Sequence, residues 1–154
     1  MSFAQSPTFA GFNDFVYSVM MIPELALPSG SPVINIAFQS ANLAVNQMLV
    51  FGNNTDFSPI TLATYNLGGS NLINYAQDQP GRTYFKDLRE SLGINKFAPG
   101  VVSSTGDSGT STSLLNPEFM KTLTLANLQQ IKDPWGRAYL MIAQDYGPTI
   151  WGLS

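Results

Sequence analysis

The sequence predicts a mainly α protein, a single small bundle of about five to six helices carrying a long Ser/Thr/Gly-rich arm and an extended C-terminal tail. Three observations predict it. Apolar residues recur at helical spacing in several separate segments. Three of those segments open on a capping residue followed by proline, at Ser31-Pro32, Ser58-Pro59 and Asp133-Pro134. The length of 154 residues fits one domain and leaves no room for a second. The expected organisation is one unit over 1–154, with a core of 9–97 and 114–147, an arm of 98–113 and a docking tail of 148–154.

The first helix is placed within Pro7 to Met21, where Phe12, Phe15, Val16 and Val19 fall at i, i+3, i+4, i+7. Pro23, Pro28, Gly30 and Pro32 then break the chain. Ser31 as N-cap and Pro32 in the first turn predict a second helix running to about Phe51. Ile34, Phe38, Ala41, Val45 and Met48 form its stripe, and Ile36, Leu43 and Val50 widen it, so this helix is expected to be central. Gly52-Asn53-Asn54 supplies its stop. A third helix follows Ser58-Pro59 to about Gln77. Gly68 and Gly69 lie inside it, each costing about 1 kcal/mol relative to alanine. Close helix approach explains them; a phosphate-binding loop is the alternative, weakened because no strand precedes them and no lysine follows.

Residues 83–93 read as a short charged helix, with Tyr84, Leu88 and Leu92 on one side and Gly93 as its stop. The segment 98–113 holds too few apolar side chains to offset its own ordering entropy. It is either a flexible surface loop or an arm that orders across a neighbouring subunit, anchored by Val101 and Val102. Asn116-Pro117-Glu118 opens a helical turn, and Thr124 caps a further short helix. Asp133 caps the last helix, which runs to Gly147-Pro148 with Trp135, Tyr139, Ile142 and Tyr146 as an aromatic core stripe. Trp151 and Leu153 form an apolar hook on the tail that follows.

Composition narrows function by exclusion. The chain contains no histidine and no cysteine, which removes Ser-His-Asp and Cys-His catalysis, disulfides and the usual zinc and haem ligands. No cofactor and no metal site is expected, and carboxylate, Lys or Tyr chemistry is what survives. No EF-hand, Walker or HExxH spacing occurs, so the chain is not expected to be an enzyme. No basic leader precedes an apolar core near Met1, and no apolar run approaches the roughly 18 to 20 residues of a membrane span. Only 11% of residues are charged, against a typical value of about 25%. Such a surface solvates poorly, which suits burial against partners, although a neutral monomer has the same composition. All seven basic residues follow position 81, so residues 1–81 are net −4 with no basic residue, and residues 82–154 are net +1. The front half therefore has no grip on nucleic-acid phosphates.

The segments LATYNLGGSNLINYAQD (62–78), SSTGDSGTSTSLL (103–115) and LTLANLQQIKDPWGRAYLMIAQDYGPTIWGLS (123–154) resemble a family of tailed-bacteriophage proteins, the head-to-tail connector, adaptor or head-completion proteins. The resemblance implies a structural virion protein of the neck, made in the host cytoplasm. Copies would form a ring, roughly dodecameric to match the portal, bound to the portal protein and to a tail or nozzle protein. DNA would pass through the ring without sequence-specific binding, and no membrane is involved. The docking residues expected are Val101, Val102, Leu114 and Leu115 in and after the arm, with Ile150, Trp151 and Leu153 in the tail. Gly68, Gly69, Trp135 and Tyr139 are expected to serve helix packing. The competing readings are another neck component, such as a tail-completion or stopper protein, and a virion-associated carboxylate hydrolase.

Overall fold

The structure is a computed structural model that describes residues 6–45, 58–95 and 130–146. Among these residues it is all helical, with five α-helices and no strand. They are α1 (Phe9–Asp14), continued directly by a π-helical turn over Phe15–Val19, then α2 (Pro32–Ala44), α3 (Pro59–Tyr75), α4 (Tyr84–Ser91) and α5 (Pro134–Tyr146).

The starts follow the capping chemistry written in the sequence. Thr8 Oγ1 accepts from the Gly11 N–H at 3.1 Å, and Ser31 Oγ accepts a longer bond of 3.4 Å from Val33 N–H. Ser58 occupies the N-cap of α3 without a side-chain bond; its carbonyl instead accepts from Leu62 N–H at 3.1 Å. Asp133 Oδ1 accepts from Gly136 N–H at 2.7 Å and opens α5. The first helix does not stop where its α-helical hydrogen bonds stop. Met20 N–H bonds the Phe15 carbonyl five residues back, at 3.0 Å, and this wide turn places Phe12, Phe15 and Val16 together in the core. Met21 then takes a left-handed backbone, φ 56°, a conformation that strains a residue with a Cβ by roughly 1–2 kcal/mol.

Two expectations about α2 are corrected. It ends at Ala44 and not near Phe51, because Val45 turns extended at ψ 131° while its N–H still bonds Ala41. That turn carries the Val45 side chain into a cluster with Ala41, Ile60, Ala63 and Leu67, where burial outweighs a further helical turn. Nor is α2 central. Ile36 and Leu43 remain 67% and 84% exposed, and the centre is α3, in which twelve of seventeen residues are buried. A helix enclosed on all sides needs no single apolar stripe, but its polar side chains need partners. Thr64 Oγ1 donates to Ile60 O and Asn66 Nδ2 to Leu62 O, both at 2.8 Å, each one turn back.

Helices α2 and α5 both pack along α3. The N-terminal half of α2 clusters with Leu72 and Ala76 and its end with Ile60, Ala63 and Leu67, so α2 runs antiparallel to α3. Helix α5 does likewise: Asp133 sits beside Ser70 and Asn74, and Tyr139 and Ile142 pack toward Ile60 and Ala63. The rings of α1 and its π turn bridge the three. Phe12 stacks on Phe38 of α2 at 5.7 Å and leans on Tyr65 of α3 at 5.9 Å. Phe15 meets Tyr65 at 5.7 Å and Trp135 of α5 edge-on at 5.4 Å.

Helix α4 is anchored by Phe85, which is fully buried, and not by the Tyr84, Leu88, Leu92 stripe, all three of which are only half-buried. The Asp78 carboxylate caps α4 by accepting from Phe85 N–H at 2.7 Å and Lys86 N–H at 3.0 Å. In return Arg89 donates to the last carbonyls of α3, Ile73 O at 3.0 Å and Ala76 O at 2.8 Å. Gly93 ends α4 in the left-handed region, φ 67°.

Candidate docking surface

Gly68 and Gly69 open a notch in the middle of α3. A Cβ at Gly68 would lie 2.7 Å from the Phe12 ring, and one at Gly69 would lie 2.9 Å from the Met20 sulfur. The neighbours that require glycine are therefore side chains of the first helical segment, not a second helix backbone. Gly136 is equally confined, since a Cβ there would collide with the backbone of Gln130. Trp135 packs half-buried against the aromatic core, and Tyr139 lies against the Ala41, Val45, Ile60 cluster. Burial pushes the Tyr139 hydroxyl above its ordinary pKa. The docking residues expected from sequence, Val101, Val102, Leu114, Leu115, Ile150, Trp151 and Leu153, lie outside the described residues, as do the arm, the tail and the short helices expected over 116–129. Met48, Val50 and the Gly52 stop, and the side chain of Tyr146, also lie outside them.

What the described residues do bring together is an apolar face with no charge on it. Ile36 and Leu43 are seven residues apart and so share one line on the outer side of α2. Asn35, Gln39 and Ser40 are the exposed polar residues around them, and no residue of α2 is charged. Asn71 Nδ2 donates to Ser40 Oγ at 3.2 Å. Tyr75, the last residue of α3, is also 61% exposed. A solvent-facing helix normally displays Lys, Glu or Arg on such a face, and loss of charge at a patch centre is a signature of interfaces. The signal is present in the sequence as a thirteen-residue helix without a charge, in which periodicity counts Ile36 and Leu43 as widening the apolar stripe.

Carboxylates are the most numerous of the catalytic groups the composition leaves, and several are engaged in holding helices. Asp133 is fully buried. Its Oδ2 accepts from Ser70 Oγ at 2.7 Å and from Asn74 Nδ2 at 3.1 Å while its Oδ1 caps α5. Asp87 Oδ2 accepts from Thr83 Oγ1 at 2.8 Å. A shallow, open groove of about 490 Å³ lies between Pro23, Leu25 and Ala26 and the Gly81–Tyr84 turn. Among the described residues no three His, Cys, Asp or Glu side chains are grouped to hold a metal ion, and no helix is long and apolar enough to cross a membrane.

The arrangement defines a class by its build: a helical packing module with an uncharged, partly apolar flank. Comparison of the chain with protein-family models, with curated proteins and with solved structures returned no match.

Proposed function

We propose that this chain is a structural adaptor of a tailed-phage neck, forming a ring that joins the portal of the head to the tail and surrounds the path of the DNA. The observation that carries the reading is the charge-free outer face of α2 with exposed Ile36 and Leu43, a surface suited to another protein and unsuited to phosphate or lipid headgroups. The family resemblance supplies the particular setting. An all-helical set of described elements favours the adaptor over a stopper or tail-completion protein, which more often carries a β-barrel.

The test is mass measurement of the chain mixed with purified portal. The expected result is a stoichiometric complex, and removal of residues 148–154 is expected to abolish it while leaving far-UV helicity intact. A truncated chain that still binds normally would reject the tail as the docking element. A full chain that never binds portal would reject the adaptor reading. Clearing of a peptidoglycan suspension would instead support a hydrolase.

A further inference from the structure

We infer that the outer face of α2 is the resting seat of this chain's own segment 147–154, held there until a partner takes the segment away. The inference deepens the adaptor reading and rests on it only for the identity of that partner. Helices α2 and α5 both run antiparallel to α3, so they finish at the same end of it. Val45, just past α2, and Ile142, near the end of α5, both pack into the cluster that holds Ile60 in the first turn of α3. Leu43 therefore stands at the end of the bundle where the chain leaves α5. Tyr146 is the last residue of α5, and Gly147-Pro148 follows at once, a pair that disfavours further helix. Trp151 comes five residues after Tyr146 and Leu153 seven, so an extended chain carries them up to about 17 and 24 Å from it. A helix with its side chains is about 10–12 Å across. The segment is long enough to pass round the end of α2 onto its outer side, where the exposed Leu43 and Ile36 stand about 10 Å apart along the helix.

Composition selects the occupant. Helix α2 bears no charged residue, and neither does 147–154, which supplies Ile150, Trp151 and Leu153. Of the other stretches outside the described residues, 46–57 contains Asp56, and 96–129 contains Lys96, Asp107, Glu118 and Lys121. Those are charges that this face offers nothing to pair. Residues 1–5 bring a single aromatic ring, Phe3. Laying Trp151 and Leu153 over Leu43 and Ile36 removes apolar surface from water on both sides and desolvates no ion. A partner that binds the segment better than α2 does shifts the balance toward the released state, and the same step uncovers the α2 face. One event thus presents both docking elements.

The test uses the full chain, which has no cysteine of its own. Leu43→Cys with Leu153→Cys is expected to form a disulfide within single chains at low protein concentration, at least about tenfold faster than Leu25→Cys with Leu153→Cys. Leu25 is the matched control, because it is also exposed and borders the groove beside the Gly81–Tyr84 turn, at the far end of α3. Equal rates for the two pairs, or linkage that forms only between chains, would overturn the inference. Fluorescence gives an independent readout. In Trp135→Phe the one remaining tryptophan is Trp151, and its emission is expected to be blue-shifted from that of a hydrated indole. Adding Ile36→Asp and Leu43→Asp, both at exposed positions, is expected to move it to the red, with unchanged far-UV circular dichroism verifying the fold. An emission maximum that stays where it was would also overturn the inference. The oxidised Leu43→Cys/Leu153→Cys chain is expected to bind purified portal at least about tenfold more weakly than the reduced chain. Equal binding by the two would overturn the claim that the partner draws the segment from this seat. The two readings fail separately: a chain whose segment links to Leu43 but never binds portal keeps the seat and loses the adaptor, and a chain that binds portal without such linkage does the reverse.

Discussion

At Gly68 two physical effects oppose each other, and their magnitudes decide the outcome. Alanine in a helix interior is favoured over glycine by about 1 kcal/mol. Here the added methyl would stand 2.7 Å from the ring of Phe12, which is fully buried between Phe38 and Tyr65. Overpacking a rigid ring costs about 1–3 kcal/mol, so Gly68→Ala is expected to lower the Tm despite its better propensity. Gly69→Ala faces the sulfur of Met20 at 2.9 Å. Met20 is flexible and only half-buried, so it can move aside and the loss should be clearly smaller. Gly30→Ala meets nothing within 4 Å and serves as the neutral control. Thermal melts of the three variants rank them. Equal losses at Gly68 and Gly69 would mean the ring yields as readily as the thioether. The doublet was legible in the sequence as a departure from propensity that needed close approach. Its partners were not, because they lie about fifty residues earlier and the approach is made by side chains.

The joints between helices are more polar than the helices themselves. Asp133 answers three donors, two of them on α3 and one at the start of α5. Replacing it by alanine leaves the Ser70 O–H and the Gly136 N–H without their acceptor in the interior, at a cost of about 1–3 kcal/mol for each buried donor so orphaned. Asp133→Ala is therefore expected to loosen α5 from α3, seen as faster amide exchange along α5 and α3 together. Exchange that rises in the first turn of α5 alone would reduce Asp133 to the cap that the sequence indicates. The joint between α3 and α4 is reciprocal. Asp78 caps α4 from outside it, and Arg89 caps α3 from within α4. Asp78→Ala is expected to cost about 0.5–2 kcal/mol, in the range of a lost N-cap, and to raise exchange at Phe85 and Lys86 first. Capping serine or aspartate next to proline can be read locally. A cap six residues before the helix it serves, or an Arg reaching back thirteen or sixteen residues, depends on how the turn folds and leaves no local trace.

At the scale of the molecule, α3 is enclosed by α1, α2, α4 and α5, and the aromatic rings of the first helical segment tie α2 to α5 across it. Helical periodicity revealed the elements but misplaced the centre, since α2 has the cleaner stripe and α3 is the one that is surrounded. Enclosure of this kind has an alkaline signature. Tyr139, Tyr84 and Tyr17 all have hydroxyls pushed above the ordinary value of 10.0 by burial, Tyr17 also by the neighbouring Glu24 carboxylate. Tyr17 also donates to the Leu27 carbonyl at 2.8 Å, a bond only the neutral phenol can make. Above pH 10 the unfolded chain releases these protons while the folded chain retains them, so the folded state binds more protons and its stability falls as pH rises. The contribution is whole below pH 10 and is lost as pH climbs from there through the raised values. Urea melts at stepped pH should therefore show a midpoint that drops beyond pH 10, and the drop should be shallower in Tyr139→Phe, which keeps the ring and removes the titrating group. Lysine discharge is common to both proteins and cancels in the difference between them. Identical slopes for Tyr139→Phe and the wild type would mean that Tyr139 is hydrated in solution, and that α5 does not lie against the Ala41, Val45, Ile60 cluster as the fold requires.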